Sequence, residues 1–408
     1  MKSKQLSASQ AAARLGVRVE TVYAYVSREI LSRTVAPDGR SSRFDVAEVE
    51  ALARRGRPKK GVRRVGAVEV SLASSLTQVT PEGRLAFRGR DIRVLAESHH
   101  FEQVAELLWT GKLPARPRWS EEPDEIALRV SRRLPKESPP VERFAVIASA
   151  MACHRPDRGD LRPAVAIRHA RGLIQTFVGA LPVLSRARIP RAGRLAARLW
   201  PRLSGLPPSR SHIRALDTAL VVLADHELAT STLAARVAAS TRADPFLAVV
   251  GGLAAVSGAF HGRAAAAAYH LLSAGAAAAS PENAVEDALA EHMSRDARFR
   301  LPGFGHPVYE EADPRTEILL ERVLATARPD LREVIERVRV AADEESDTAP
   351  NVDFALGALA FANGMSPAAT ESVFAISRTA GWIAHVLEEY GEAPLRFRAR
   401  AIYDGEGD

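Results

Sequence analysis

The chain is rich in alanine and poor in aromatic residues, and this balance constrains its fold more than any other feature. Aromatic side chains make up 6% of the 408 residues, whereas hydrophobic residues as a class make up 46%. Because small side chains let helices pack at short distances, this composition favours closely packed helices over a β-sandwich. The longest apolar run, Pro245–Phe260, is rich in Ala and Gly and short for a membrane span. We therefore predict a tightly packed internal helix and no membrane association.

Cysteine usage narrows the class of protein further. Cys153 is the only cysteine in the sequence, which excludes internal disulfides and any zinc site built from clustered cysteines. A single thiol fits a reducing compartment, and no basic segment followed by an apolar one opens the chain. These features predict a cytoplasmic protein.

The net charge of +7 is distributed unevenly along the chain. Residues 1–64 hold 15 Lys and Arg against 6 Asp and Glu, a net charge of +9, which leaves −2 for the remainder. A basic segment ahead of a nearly neutral body indicates an attached nucleic-acid-binding module. A solvated basic tail has the same composition, so charge alone does not decide between the two.

The pattern within the basic segment predicts two short helices followed by a hairpin. Gly16 separates two stretches of small and apolar residues, as a helix-turn-helix requires, and Thr34–Phe44 has the pattern of strand, turn and strand. Residues 1–57 thus resemble the winged helix-turn-helix of the MerR and excisionase type, followed by a basic linker at 58–66. A protein-docking role for the same fold is the alternative. The resemblance implies binding of duplex DNA, with contacts from Arg18, Thr21, Tyr23, Arg28, Arg40 and Arg43.

Three segments in the second half of the chain carry acid–base chemistry. They are SGAFHG around His261, LPGFGHPVYEEADPR around His306 and APNVDF around Asp353. Two histidines and a carboxylate can remove a proton from carbon while they protonate a carbonyl elsewhere. No metal-ligand spacing accompanies them, so the sequence predicts proton transfer by side chains alone, with no metal and no cofactor.

From about residue 66 to its end, the chain resembles the citrate synthase family. The resemblance rests on the three segments above and on FRGRDIRVLAE, GKLP, LADHELATST and SVFAISRTAGWIAHVLEEY, which follow one another in the family's order. It implies a mainly α fold in which residues 67–408 form a large helical domain and a small one at approximately 261–351. It also implies a homodimer in which the small domain closes over the site.

The same resemblance implies a role for each candidate residue. Asp353 is the base, His261 stabilises the enolate oxygen of a thioester, and His306 acts on the carbonyl of oxaloacetate. The residues that bind the carboxylates of oxaloacetate are then His226, which the pattern places on a helix, Arg315, Arg378 and, from the other subunit, Arg398.

The implied reaction is that of an acyltransferase: acetyl-CoA condenses with oxaloacetate and water to give citrate and CoA. Two alternatives remain open. A 2-methylcitrate synthase would use the same residues with propionyl-CoA, because one methylene discriminates weakly in an apolar pocket. A DNA-binding regulator could instead use a citrate-synthase-like body to sense a metabolite without turnover.

Overall fold

The chain divides into two compact units, one formed by residues 1–72 with 287–300 and the other by 73–286 with 301–408. In this computed structural model the described residues are 5–15, 19–27, 31–35, 42–46, 48–49, 52, 70–80, 82–117, 119–185, 193–258, 261–278, 280–295, 301–306, 308–309, 312–346 and 348–399.

In the described residues before position 70, the smaller unit contains two short helices and a three-stranded antiparallel sheet. Ser7 caps the first helix, because its hydroxyl accepts the N–H of Gln10 at 3.2 Å. The elements are β1 (Gln5–Ser7), α1 (Ala8–Leu15), α2 (Val19–Ser27), β2 (Thr34–Val35) and β3 (Ser42–Asp45), with the sheet order β1-β3-β2. Its core consists of Ala11, Ala12, Val22, Leu31, Phe44 and Val49.

The larger unit begins with a small antiparallel sheet and is otherwise helical, which confirms the predicted mainly α fold. The strands are β4 (Thr77–Val79), β5 (Leu85–Phe87) and β6 (Arg90–Asp91). The helices are α3 (Ile92–Ser98), α4 (Phe101–Thr110), α5 (Glu125–Ser131), α6 (Pro140–His154), α7 (Pro163–Ala180), α8 (Leu195–Leu203), α9 (Arg210–Leu223), α10 (Thr230–Ser240), α11 (Pro245–Val256), α12 (Ala264–Ala277), α13 (Pro281–Arg295), which the division into units crosses, α14 (Pro314–Leu324), α15 (Pro329–Ser346), α16 (Val352–Ala362) and α17 (Ala368–Tyr390).

Helix α17 forms the centre of the larger unit and is buried along most of its length. It packs against α4, α6, α7, α9, α10 and α11. Gly381 permits a close approach to the end of α9, where its N–H donates to the carbonyl of Ala224 at 2.9 Å. A Cβ atom at Gly381 would lie only 2.4 Å from that carbonyl oxygen.

The predicted internal helix is α11. Asp244 caps it by accepting the N–H of Leu247 at 3.1 Å, and Pro245 occupies its first turn, where a missing N–H costs nothing. Seven of its twelve residues are buried, which confirms the prediction of a packed helix. Within the described part of the chain, no helix combines the length and apolar character that crossing a membrane requires.

The chain enters the helical body through a segment that is bonded to two acidic side chains. The hydroxyls of Ser74 and Ser75 and the N–H of Ser75 each donate to the carboxylate of Glu388 at 2.9 Å. Two residues later, the hydroxyl of Thr77 donates to Asp225 at 2.5 Å. Asp225 is fully buried in the turn that follows α9.

Candidate active site

The loop before α14 and the turn before α16 are held together by hydrogen bonds. The N–H of Gly305 donates to the carbonyl of Ala349, and the N–H of Asn351 donates to that of Gly303, each at 2.8 Å. The side-chain amide of Asn351 also donates to the carbonyl of Gly305 at 2.8 Å. Gly303 and Gly305 have φ angles of +86° and +70°, which other residues rarely adopt. These bonds bring the second and third acid–base segments together.

Asp353 lies in the first turn of α16. The N-cap is Asn351, whose side-chain oxygen accepts the N–H of Asp353 at 2.9 Å, so Asp353 itself does not serve as the cap. Burial raises the pKa of Asp353 to about 6, against the opposing charges of Arg315 and Arg378. A carboxylate whose pKa lies near neutrality is suited to act as a general base.

Asp313 and Arg315 form a buried ion pair at the start of α14. Nε and Nη2 of Arg315 donate to the two carboxylate oxygens of Asp313 at 2.9 and 2.8 Å. Asp313 also accepts the N–H of Val352 at 3.0 Å. Burial opposes both charges, but each partner keeps the other ionised, so the pKa of Asp313 is lowered and that of Arg315 is raised. The pair therefore joins a candidate substrate ligand to the helix that carries the candidate base.

The hydrogen bonds of His306 indicate which ring nitrogen carries the proton. Nδ1 accepts the N–H groups of Val308 and Tyr309 at 3.1 and 3.4 Å, so we assign the proton of the neutral ring to Nε2. Nε2 lies 3.4 Å from Nη2 of Arg315, which is also a donor. Two converging donors suit an acceptor oxygen such as that of a carbonyl or a carboxylate.

His226 lies in the turn between α9 and α10, and the prediction that it lies on a helix is wrong. Helix α9 ends at Leu223, and Glu227 has a φ angle of +54°. The carbonyl of Ala224 accepts the N–H of Gly381, a residue of α17, at 2.9 Å. A tertiary contact with α17 thus replaces the next turn of the helix.

The environment of His226 keeps its ring neutral. Its Nε2 is hydrogen bonded to the hydroxyl of Tyr309 at 2.9 Å, and its ring centroid lies 5.2 Å from that of His306. Burial, followed by the charges of Arg315 and Arg378, lowers the pKa of His226 well below its ordinary value. A neutral imidazole can offer a substrate one N–H donor but no positive charge.

His261 lies in the turn between α11 and α12. Its Nε2 lies 2.8 Å from the hydroxyl of Ser231, which also accepts the indole N–H of Trp382 at 3.3 Å. The hydroxyl can donate its own proton to Nε2, an arrangement in which the proton of the neutral ring is on Nδ1. Burial, followed by the charge of Arg378, lowers the pKa of His261 to about 4. At neutral pH His261 is therefore a neutral donor.

Arg378 is a buried guanidinium on the inner face of α17. Its Nε donates to the carbonyl of Leu223 at 2.8 Å, and its Cζ lies 4.8 Å from the ring centroid of Phe374. Burial lowers the pKa of Arg378 to about 10, while nearby Asp225 opposes this shift. The side chain stays charged at neutral pH and can bind an anion.

Six of the seven predicted catalytic and substrate-binding residues form one cluster, connected by the contacts and electrostatic interactions above. The seventh, Arg398, is exposed in the segment that follows α17, and no contact within the described part of the chain joins it to the cluster. The members of the cluster are His226, His261, His306, Arg315, Asp353 and Arg378.

Among the predicted DNA contacts, the structure describes the side chains of Tyr23 and Arg43. Tyr23 lies on α2 and is 39% exposed. Its ring packs edge to face against that of Phe44, with 6.4 Å between the two ring centroids. Arg43 lies on β3 and is half-buried. Outside the described residues lie Arg18, Arg28, Arg40 and the side chain of Thr21.

Three side chains of the site were not predicted from the sequence. Ser231 is separated from its partner His261 by 30 positions, and Tyr309 is separated from His226 by 83, so no local pattern could have identified either contact. Asp313 did carry a local signal, because Asp followed by Pro is typical of a helix start. Its role as the partner of Arg315 follows only from the structure.

The fold and this cluster are those of an acid–base enzyme, and the two buried guanidinium groups are suited to an anionic substrate. Residues 65–400 match the family model described as citrate synthase, C-terminal domain. The citrate synthase of Haloferax volcanii is 32% identical over 351 residues, which cover 80% of this chain and 91% of that protein. The 2-methylcitrate synthase of Mycobacterium tuberculosis is 30% identical over 352 residues, which cover 81% and 86%. The chain belongs to the citrate synthase family.

Solved structures agree with this assignment. A citrate synthase from Thermoplasma acidophilum, in a ternary complex with carboxymethyl coenzyme A and oxaloacetate, matches with a TM-score of 0.69 and 25% identity, over 84% of this chain and 95% of that one. The citrate synthase of Pyrobaculum aerophilum matches with a TM-score of 0.70 and 26% identity, over 83% and 91%. The relatives and structures together support citrate synthase function, a condensing acyltransferase activity.

Proposed function

We propose that this protein condenses acetyl-CoA with oxaloacetate and water to form citrate and CoA. The observation that carries the proposal is the pairing of a neutral donor, His261, with a carboxyl of raised pKa, Asp353, in the field of one buried guanidinium, Arg378. A base and a neutral donor are what removal of a proton next to a carbonyl requires.

In the proposed first step, Asp353 removes a proton from the methyl group of acetyl-CoA. This proton is too weakly acidic for a carboxylate to remove unless the developing enolate oxygen is stabilised. The N–H at Nδ1 of His261 donates to that oxygen, and Ser231 keeps the proton on this nitrogen. Neutral His261 is a hydrogen-bond donor here, since its pKa of about 4 makes an imidazolium rare at neutral pH.

In the second step, the enolate carbon attacks the keto carbon of oxaloacetate. The N–H at Nε2 of His306 polarises or protonates the keto oxygen as the bond forms. Arg315 and Arg378 hold the carboxylates and so orient the keto group. Water then hydrolyses the thioester to release CoA. The proposed reaction needs no resident cofactor, because the thioester itself supplies the activated carbon.

A second candidate is 2-methylcitrate synthase, which the similarity to the Mycobacterium tuberculosis enzyme favours. Both reactions release a free thiol, so steady-state thiol release from acetyl-CoA and from propionyl-CoA, each with oxaloacetate, tests the two together. We expect turnover that depends on oxaloacetate, and the larger kcat/KM identifies the acyl group. An absence of thiol release with either substrate would contradict the enzyme assignment and favour a metabolite-sensing regulator.

We further propose a homodimer in which Arg398 reaches the site of the neighbouring subunit. Arg398 is exposed in its own chain, and the segment before it is firmly anchored. Arg396 donates to both carboxylate oxygens of buried Glu389 at 2.8 and 2.7 Å, and the N–H of Leu395 donates to Ser240 at 2.9 Å. A fixed segment that ends in an exposed guanidinium is suited to act on another chain.

Arg398→Ala is expected to raise the KM for oxaloacetate, because a carboxylate loses a charge-assisted donor. A mixed dimer of Arg398→Ala and Arg378→Ala chains is expected to regain one competent site, which combines the intact Arg378 of one chain with the intact Arg398 of the other. The two variants are refolded together, and the thiol-release activity of the mixed dimers is measured. If hybrids are as inactive as the parent variants, the site is not shared between subunits.

We also propose that residues 1–57 form a winged helix-turn-helix that binds duplex DNA. The basic linker at 58–66 joins it to an enzyme body at 67–408. Within this body, residues 261–351 approximate the small domain. Two short helices, a hairpin and a net positive charge support the proposal. Tyr23 on α2 and Arg43 on β3 are candidate contacts that the structure describes.

Full-length protein is expected to bind duplex DNA from its own upstream region, and binding is expected to weaken steeply as salt rises because phosphate contacts release counterions. A chain lacking residues 1–57 is expected to lose this binding and keep its thiol-release activity. A salt-titrated mobility-shift assay on both proteins measures the difference. Equal affinity of the two proteins at low salt would indicate a protein-docking module instead.

A further inference from the structure

Tyr309 contacts both of the histidines to which oxaloacetate binding and activation are assigned above. Its hydroxyl is 2.9 Å from Nε2 of His226, and its ring centroid is 4.7 Å from that of His306. The side chain is only 5% exposed. The phenol therefore packs against the ring that the proposed function assigns to the keto oxygen.

The hydrogen bond between the hydroxyl of Tyr309 and Nε2 of His226 contains one proton, which either atom can donate. Burial raises the pKa of Tyr309, so the phenol keeps its proton at any pH at which the enzyme works. Neutral His226 can accept that proton at Nε2 or, as the other tautomer, donate its own Nε2–H to the phenol oxygen. In the second arrangement the O–H of Tyr309 points away from His226.

We propose that the hydroxyl of Tyr309 donates a hydrogen bond to an oxygen of bound oxaloacetate. In this arrangement the Nε2–H of His226 donates to the phenol oxygen. Oxaloacetate at neutral pH offers only acceptor oxygens, so its binding selects the arrangement in which the phenol proton faces the substrate. Tyr309 then contacts the substrate directly, and His226 acts through it as a positioning residue. This inference rests on the proposed function.

Tyr309→Phe removes the donor and keeps the ring against His306. We expect the KM for oxaloacetate to rise about tenfold or more, because a hydrogen bond to a charged group is lost, whereas the KM for the acyl-CoA stays within about twofold. Calorimetric titration with oxaloacetate, without acyl-CoA, is expected to show the same loss in affinity. Equal increases in both KM values would indicate a merely structural role and overturn the inference.

Tyr390→Phe provides a matched control. Its hydroxyl also donates a buried hydrogen bond, to the carbonyl of Ala243 at 2.6 Å, but in a different part of the unit. The two variants should lose similar thermal stability, and only Tyr309→Phe should change the affinity for oxaloacetate. An equal loss of affinity in Tyr390→Phe would overturn the inference.

A double variant tests whether the two side chains act in series. If His226 acts through Tyr309, the KM of Tyr309→Phe/His226→Leu should be close to that of the more damaged single variant. If the increases in KM of the two single variants multiply in the double variant, His226 contacts the substrate independently of Tyr309. If the wild-type protein turns over and Tyr309→Phe binds oxaloacetate normally, this inference alone fails. If the wild-type protein neither turns over nor binds oxaloacetate, the proposed function fails with it.

Discussion

Replacing Asp353 with Asn is expected to lower the rate of citrate formation by a factor of about 10²–10⁴, the usual cost of losing a general base. The affinity for oxaloacetate should remain, because Arg315 and Arg378 are untouched. Steady-state thiol release and calorimetric titration with oxaloacetate measure the two quantities separately. In the unaltered enzyme, kcat should fall as the pH drops through about 6, where Asp353 becomes protonated. Wild-type activity of the variant would remove Asp353 from the mechanism.

The same substitution should stabilise the fold at alkaline pH. A carboxyl whose pKa is raised on folding contributes stability that is fully present below its unfolded pKa of about 4 and is lost as the pH rises through about 6. Asn resembles the protonated form at every pH. Asp353→Asn should therefore gain up to about 3 kcal/mol at pH 8 and little at pH 4, measured by urea unfolding. Asp343→Asn, an exposed position on α15, is the control and should change neither quantity.

Gly381→Ala is expected to destabilise the fold by about 1–3 kcal/mol, because overpacking at a rigid contact forces the backbone to move. The added Cβ would lie 2.3 Å from Oδ1 of Asp225 and 2.4 Å from the carbonyl oxygen of Ala224. Relief requires α17 to move away from the turn that carries His226. The midpoint of thermal unfolding should fall, and the KM for oxaloacetate should rise in the protein that still folds.

Gly205→Ala is the matched control for this variant. A Cβ at Gly205 meets no atom within 4 Å, so its stability and kinetics should stay close to those of the unaltered protein. A Gly381→Ala protein with an unchanged melting temperature would mean that the contact between α17 and the His226 turn yields easily.

The sequence identified which side chains lie together better than it predicted their local backbone structure. The segments around His306 and Asp353 combine an acid–base residue and a helix start within a few positions, so local patterns marked them as candidates. Their roles came from the resemblance to the family. His226 was placed on a helix because apolar periodicity continues through Leu223. The helix ends for a reason that lies more than 150 positions away, where the N–H of Gly381 donates to the carbonyl of Ala224.

Proton placement could not be predicted at all from the sequence. Which nitrogen of His261 carries the proton depends on the hydroxyl of Ser231, and that hydroxyl is oriented by the indole of Trp382. Both partners come from other helices, so the tautomer is a property of the packed structure.

The attachment of Ser74, Ser75 and Thr77 determines where the protein can be divided. A chain that begins at residue 70 keeps every donor to Glu388 and Asp225. A chain that begins at residue 78 lacks the hydroxyl of Thr77. Asp225, which is fully buried and immediately precedes His226, then loses this donor. Truncations and fusion junctions therefore belong before Ser74, because a cut only four residues later removes a hydrogen bond from the turn that carries His226.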